Sequence, residues 1–162
     1  MSYVANNLLN GETVTFSTKL HWKVFIAPAL LAVFIFLPLV YFALRSQAKL
    51  LALVPLVLIP LAFLPAYLRR LSSEFAVTNK RVIMKVGVLT TRSYELLLGK
   101  VEGIAVTQQM LGKVFDYGDI VVTGSGGTQE PFADIQDPFA FRRAVQSVTD
   151  AQIEPRQRVL SI

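Results

Sequence analysis

Two long apolar runs dominate the first half of the chain. Val24–Leu44 contains 21 residues and Leu50–Leu68 contains 19, and neither run includes a charged side chain. As helices they would be roughly 28–32 Å long, which matches a hydrocarbon core of about 30 Å. A cleaved signal peptide fits poorly, because its apolar region is shorter and lies closer to the N-terminus. The pattern predicts two membrane-spanning helices, with a re-entrant hairpin as the alternative.

Only Arg45-Ser46-Gln47-Ala48-Lys49 separates the two runs. Five residues can connect two antiparallel helices, so the runs are expected to form a helical hairpin with both ends on one side. Five prolines lie within it, and the second run is expected to be bent. We therefore divide the chain into an N-terminal segment (1–23), a transmembrane hairpin (24–68), a folded domain (73–149) and a polar C-terminal tail (150–162).

After residue 73 the pattern changes to short β-prone runs separated by turn residues. The predicted strands are Glu74–Thr78, Arg81–Val86, Thr91–Leu98, Val101–Gln108, Asp119–Thr123 and Pro131–Ile135. Asn79-Lys80 is predicted to form a two-residue turn, in which Asn79 is able to adopt a positive φ. Met110-Leu111-Gly112 interrupts the strand pattern.

A helix is predicted to begin at Asp137-Pro138, because an Asp at the N-cap followed by Pro at the first helical position is a typical start signal. Phe141, Val145 and Val148 then recur at helical spacing. The resulting fold class is α+β: a transmembrane helical hairpin, followed by a small antiparallel β-barrel or sandwich with a C-terminal capping helix. Roughly 75 residues bury only a modest core, so this domain is expected to need support from the membrane anchor or a partner.

Composition narrows the possible functions. The chain is 53% hydrophobic and 17% charged, and it contains no Cys and a single His. These counts exclude a disulfide framework, a thiolate nucleophile and a multi-histidine metal site. Residues 1–72 hold six basic groups and one acid, whereas residues 73–162 hold ten of each. Because the folded half is neutral, nucleic acid is not an expected partner.

Several short motifs resemble the bacterial PH-like domain family. They include Phe75-Ala76-Val77-Thr78-Asn79-Lys80-Arg81-Val82-Ile83, Leu111-Gly112-Lys113-Val114-Phe115-Asp116-Tyr117-Gly118 and Asp137-Pro138-x-x-Phe141-Arg142. Gly11-Glu12 and His21-Trp22 before the hairpin are similar to the membrane-associated branch of that family. The resemblance implies a seven-stranded bent β-structure with a C-terminal helix, and protein contacts made by sheet edges, loops and the helix.

Catalysis is not expected. His21 has no second His or Cys as a partner and is interpreted as a side chain at the membrane interface. Asp116 and Asp119 are three positions apart, and both are interpreted as solvated turn residues. The sequence therefore predicts no catalytic residues, no metal and no cofactor.

Two groups of residues are predicted to meet the membrane surface. Trp22, Tyr67, Arg69 and Arg70 lie at the shared end of the hairpin, where interfacial aromatic and basic side chains are common. Lys80, Arg81, Lys85 and Arg92 surround the first two strands of the domain and are candidate ligands for lipid headgroups.

The favoured function is a non-catalytic, membrane-anchored adaptor or scaffold that contacts other membrane proteins or self-assembles, including as an accessory subunit of a larger complex. The alternative is a module that binds anionic phospholipids. Membrane lipids are expected to contact the chain in either case.

Basic residues near the hairpin predict its orientation. The shared end has Lys19, Lys23, Arg69, Arg70, Lys80 and Arg81, whereas the turn has Arg45 and Lys49. Because basic residues accumulate on the cytoplasmic side, both termini and the folded domain are expected in the cytoplasm, with the chain in the bacterial inner membrane.

A topology reporter fused after Ile162 tests this orientation. We expect a cytoplasmic signal from the C-terminal fusion, because the more basic end of the hairpin stays inside. A periplasmic signal would contradict the assignment.

Overall fold

The computed structural model describes residues 3–46, 50, 53–88 and 90–160, with side chains through residue 152. The predicted turn residues 47–49, residues 51–52 of the second apolar run and residues 161–162 of the predicted tail lie outside the described residues. The chain divides into two compact units. Residues 22–71 form one unit, and residues 1–21 together with 72–162 form the other.

The first unit consists of apolar helices. Its first stretch combines a 3₁₀ turn, helix α2, a π-helical segment and helix α3; the bounds are Trp22–Phe25, Ile26–Leu31, Ala32–Phe36 and Leu37–Arg45. Helix α4 (Leu53–Ser72) follows and continues through Pro60 and Pro65. The π-helical segment ends at Phe36, two residues before Pro38, which lacks the N–H that a regular helix needs.

Both stretches are long and apolar enough to cross a membrane. Trp22–Arg45 and Leu53–Ser72 have mean hydropathies of 2.6 and 1.5. The Phe25 and Phe63 rings stack with centroids 6.4 Å apart, and the Arg70 guanidinium lies 6.0 Å from the Phe25 ring centroid. These contacts bring the beginning of the first stretch next to the end of α4, as an antiparallel arrangement requires; the turn of the predicted hairpin lies outside the described residues.

Among its described residues, the second unit contains two antiparallel sheets, three α-helices and a short 3₁₀ helix (Leu98–Lys100). Strands β1–β4 form one sheet in sequence order, and β5–β7 form the other. The strand bounds are Val14–Thr18, Glu74–Thr78, Arg81–Val86, Arg92–Leu97, Val101–Thr107, Tyr117–Gly124 and Gln129–Gln136. The helices are α1 (Tyr3–Asn6), α5 (Met110–Phe115) and α6 (Pro138–Leu160).

The seven-stranded architecture agrees with the resemblance, but the pattern of residues 73–149 supplied only six strands. The additional strand, β1, precedes the apolar helices and pairs with β2, with Phe16 opposite Val77 and Thr18 opposite Phe75. The division of the chain at residue 23 is therefore corrected: residues 1–21 belong to the folded domain. This segment provides the support for which the sequence suggested the membrane anchor or a partner.

Side chains from both sheets and from α6 form the core. Phe75, Ile83, Ile120 and Ile135 are fully buried, as is Phe141 of α6. The edge of Phe75 meets Phe132 at 5.9 Å between centroids. Helix α6 thus closes the domain with the apolar face that its sequence predicted.

Three local details differ from the predictions. Met110-Leu111-Gly112 belongs to helix α5 rather than to a simple interruption. Asn79 does not adopt a positive φ. Instead, the Thr78 hydroxyl accepts the backbone N–H groups of Lys80 and Arg81, which closes the turn between β2 and β3. Helix α6 also continues through Leu160, beyond the residue at which the tail was expected to begin.

A buried ion pair joins the N-terminal segment to the β2–β3 turn. Arg81 Nε donates to Glu12 Oε1 at 2.9 Å, and the Glu12 side chain is 0% exposed. The Thr78 hydroxyl donates to the same oxygen at 2.7 Å, and the Leu9 N–H donates to the other at 2.7 Å. Burial by itself would raise the pKa of Glu12, but these hydrogen bonds, that from Arg81 foremost, lower it to about 2. The carboxylate is therefore ionised at neutral pH.

Replacing Glu12 tests how far the domain depends on this pair. Glu12→Gln leaves the Arg81 guanidinium, 11% exposed, without its buried counter-charge. We expect the free energy of unfolding to fall by about 3 kcal/mol. Denaturant unfolding of the detergent-solubilised full chain measures this loss.

Glu95→Gln is the matched control for that variant. Glu95 pairs with the same Arg81, but its side chain is 34% exposed, so we expect a loss below about 1 kcal/mol. Equal losses in the two variants would show that burial of the Glu12 pair adds nothing to the free energy of unfolding.

Candidate interaction site

The structure gives Arg81 three partners within the domain. Its guanidinium contacts Glu12, Glu95 and the backbone carbonyl oxygen of Asn7. A guanidinium held by two carboxylates has little capacity left for a lipid phosphate. Arg81 was predicted as a headgroup ligand, and this stays a prediction; in the structure it contacts Glu12 and Asn7 of the N-terminal segment.

The other three candidate headgroup ligands have contacts or exposure of their own. Lys80 Nζ donates to the Asn10 carbonyl at 2.6 Å, and Lys85 Nζ lies 4.2 Å from the centroid of the Tyr3 ring. Arg92 is exposed at the first residue of β4. Lipid binding by this group stays a prediction, and it would have to compete with the contacts of Lys80 and Lys85 to the N-terminal segment.

The predicted interfacial residues occupy the ends of the apolar helices. Trp22 begins the first stretch, and Tyr67, Arg69 and Arg70 lie in the last turns of α4. Trp22 and Tyr67 are both about half exposed. Since Arg70 contacts Phe25, these side chains share one end of the hairpin. Their role as membrane-interface anchors stays a prediction.

His21 is not an interfacial side chain, contrary to its interpretation from sequence. It is buried within the β-domain, and its ring lies 5.0 Å from that of Tyr117. Its backbone N–H donates to the Asp134 carbonyl, while the adjacent Leu20 forms a bridge with Ile135. These contacts place residues 18–21 against β7 and draw His21 into the core.

Near His21, two carboxyl groups interact. Burial raises the pKa of the Asp137 carboxyl, and a hydrogen bond and repulsion from Asp116 raise it further, whereas His21 opposes the shift. Such a pair can share a proton. Among the described residues, no cluster of three or more His, Asp or Glu side chains could hold a metal ion.

A groove lies between β5 and α6. It has a volume of about 160 Å³ and combines apolar, amide, hydroxyl and acidic groups. Its walls are Val101, Glu102, Gly103 and Ile104 of β5 and Val145, Gln146, Thr149 and Asp150 of α6. Sequence reasoning missed this site, because its two walls are separated by about 40 residues and no motif connects them.

β5 is an edge strand. Its sheet has the order β5-β6-β7, so β6 is its only partner in the sheet. The opposite edge strand, β7, is covered in part by residues 18–21: the Gln136 N–H donates to the Lys19 carbonyl, and the Thr18 hydroxyl donates to the Gln136 carbonyl. An edge strand beside a groove can pair with an added strand.

Comparison with known families shows to which family the chain belongs. The sequence model of the bacterial PH domain matches residues 24–149, most of the chain. The chain belongs to the bacterial PH domain family. Searches of curated proteins and of solved structures returned no match.

The family match identifies the type of domain but does not include all of its residues. It begins within the first apolar stretch, so strand β1 and the Glu12 carboxylate lie outside the matched residues. PH domains are generally non-catalytic modules. The two walls of the groove are within or next to the matched range, which ends at residue 149.

The raised pKa of Asp137 predicts a pH dependence of stability. An acid whose pKa is higher in the folded state contributes stability at low pH and loses it as the pH rises above the ordinary Asp value of 3.8. Asp137→Asn removes this loss, and Asn tolerates the positive φ of 51° at this position. We expect the variant to gain stability over the natural chain as the pH increases from about 4 to about 7.

Thermal unfolding across this pH range measures the effect. Asp119→Asn is the control, since it makes the same change in charge at an exposed position. A stability difference for Asp137→Asn that is constant with pH, or that declines as pH rises, would refute the assignment.

Proposed function

We propose that this protein is a non-catalytic, membrane-anchored adaptor that binds an extended segment of another membrane protein. The groove between β5 and α6, beside the edge strand β5, is the observation that carries this proposal. An added strand pairs with an edge through main-chain hydrogen bonds, which supply affinity, and the groove receives alternate side chains, which supply specificity. No chemistry on a substrate is required.

The groove favours a partner segment with a basic side chain. Glu102 on β5 and Asp150 on α6 are both exposed acids in its lining. Val101, Ile104 and Val145 supply apolar surface between them. An extended segment that alternates apolar and polar residues, with a Lys or Arg among them, complements this arrangement.

Membrane attachment is part of the proposal. The two apolar helices are long enough to cross a bilayer, and the domain would remain at the cytoplasmic face of the inner membrane. An adaptor held there meets its partner at a raised effective concentration, so a modest groove suffices. The protein should therefore stay in the membrane fraction after extraction with high salt or carbonate.

The headgroup-binding alternative is less well supported. Arg81 and Lys80 contact the N-terminal segment, and the folded half of the chain has no net charge. Both observations weaken attraction to an anionic surface through these residues.

Site-specific photocrosslinking in native membranes tests the adaptor function. A photoreactive residue is placed at Gln146, which lines the groove and is exposed, and at Ser147, which is equally exposed but does not line it. We expect a single dominant protein adduct from position 146 and little from position 147, since only the former lies in the groove. Mass spectrometry should locate the adduct in an extended segment of the partner.

A groove-filling variant makes the test specific. A Cβ at Gly103 would meet nothing within 4 Å, so Gly103→Val is compatible with the fold and places a side chain in the groove. Gly99→Val is the matched control, because its site is equally open and lies outside the groove. We expect the first variant to abolish the adduct from position 146 and the second to retain it. Adducts that are equal from both positions, or unchanged by Gly103→Val, would refute the proposal.

A further inference from the structure

Helix α5 presents an apolar surface to solvent. Met110, Leu111, Val114 and Phe115 are 86%, 63%, 74% and 47% exposed. Residues 110 and 114, and likewise 111 and 115, are four positions apart, so the four side chains share one face that covers roughly 140° of the helix. We call these four residues the α5 patch. Amphipathic helices of soluble domains normally turn such a face toward the core.

The opposite side of α5 is fitted to the domain by a glycine. Gly112 is buried, and a Cβ there would lie 2.5 Å from the Tyr117 carbonyl oxygen. The Gln108 side-chain amide donates to that same Tyr117 oxygen at 3.1 Å, and the Asp116 N–H caps the helix on the Gly112 carbonyl. Close backbone packing on this side holds the α5 patch outward, so its exposure is a consequence of the fold.

The size of the patch argues against its binding in a groove of another protein. A stable protein interface buries about 800 Å² on each partner, and a helix bound in a groove uses anchors spread over at least two turns. Helix α5 has six residues, and its four apolar side chains occupy about one and a half turns. A lipid bilayer requires no complementary shape and accepts apolar side chains one by one.

Charge near the patch indicates which kind of membrane contact is possible. Lys113, also exposed on α5, can extend toward phosphates while its methylene groups stay apolar. Asp116 follows the helix and lies beside Asp137. Because these carboxyl groups oppose attraction to anionic lipids, contact must come from apolar insertion rather than from headgroup charge.

We propose that the α5 patch inserts into the interfacial region of a phospholipid bilayer, as a second, shallow membrane contact besides the apolar helices. This inference rests on the membrane attachment in the proposed function, but not on the groove. The contact would limit rotation of the tethered domain and so present the β5–α6 groove in a defined direction.

The chain contains no Cys, so a single introduced Cys can carry an environment-sensitive fluorophore in the full-length protein. The label is placed at Met110→Cys after reconstitution into purely zwitterionic phosphatidylcholine vesicles. We expect a blue shift of its emission on reconstitution and several-fold stronger quenching by lipids with a shallow spin label than by lipids with a deep one. Adding anionic lipid should not strengthen the quenching.

Two reference positions calibrate the measurement. Val33→Cys lies in the apolar helices and should be quenched by the deep label, whereas Gln129→Cys is an exposed polar position of β7 and should not be quenched. With the label at 110, the additional change Leu111→Asp and Val114→Asp should abolish quenching, since charged side chains do not insert. Lys113→Gln should preserve it. All three side chains are exposed, so folding is expected to be retained.

The outcomes separate the two proposals. Quenching at 33 without quenching at 110 overturns the α5 inference and leaves membrane attachment intact. No quenching at 33 overturns membrane attachment and the α5 inference with it. A blue shift at 110 without lipid quenching means that protein covers the patch, and quenching that requires anionic lipid means that charge drives the contact; either result overturns the inference.

Discussion

The buried ion pair between Glu12 and Arg81 is the contact on which the organisation of the domain depends. Glu12 precedes the apolar helices and Arg81 follows them, so one pair connects parts of the chain that are far apart in sequence. A buried pair of this kind is weak evidence for net stability, because desolvation offsets much of its attraction. The pair instead specifies one arrangement of the chain. Among the described residues, Glu12 has no other cationic partner, and the contacts around the pair fix the position of residues 7–14 beside the β2–β3 turn.

The folded domain is formed by two parts of the chain, and the apolar helices are inserted between them in sequence. The family match begins at residue 24, yet the sheet is incomplete without Val14–Thr18, and Leu20 and His21 reach the core from the same segment. Closing a long loop is costly in chain entropy. The antiparallel helices reduce that cost, because Phe25, Phe63 and Arg70 bring the beginning and the end of the apolar unit together. The hairpin thus serves the fold of the domain as well as any membrane attachment.

The two surfaces of the described domain on which the proposals rest have different chemistry. The β5–α6 groove combines an edge strand with acids and apolar walls, the features on which the proposed binding of an extended polypeptide rests. The α5 patch offers only apolar side chains on a small convex helix, which suits a fluid, featureless partner. Neither surface involves the basic residues around β2 and β3, because the N-terminal segment occupies most of them.

The sequence by itself determined the features that depend on local pattern. Charge-free length identified both apolar helices. Short β-prone runs bounded by turn residues identified β2 and β3, and Asp137-Pro138 marked the start of α6. It could not identify β1, since Val14–Thr18 is short and mostly polar and is a strand only because β2 lies beside it. The same limit applies to side-chain roles. Tertiary structure alone decided that Arg81 contacts Glu12, that His21 is buried and that α5 faces outward, because each depends on partners distant in the chain.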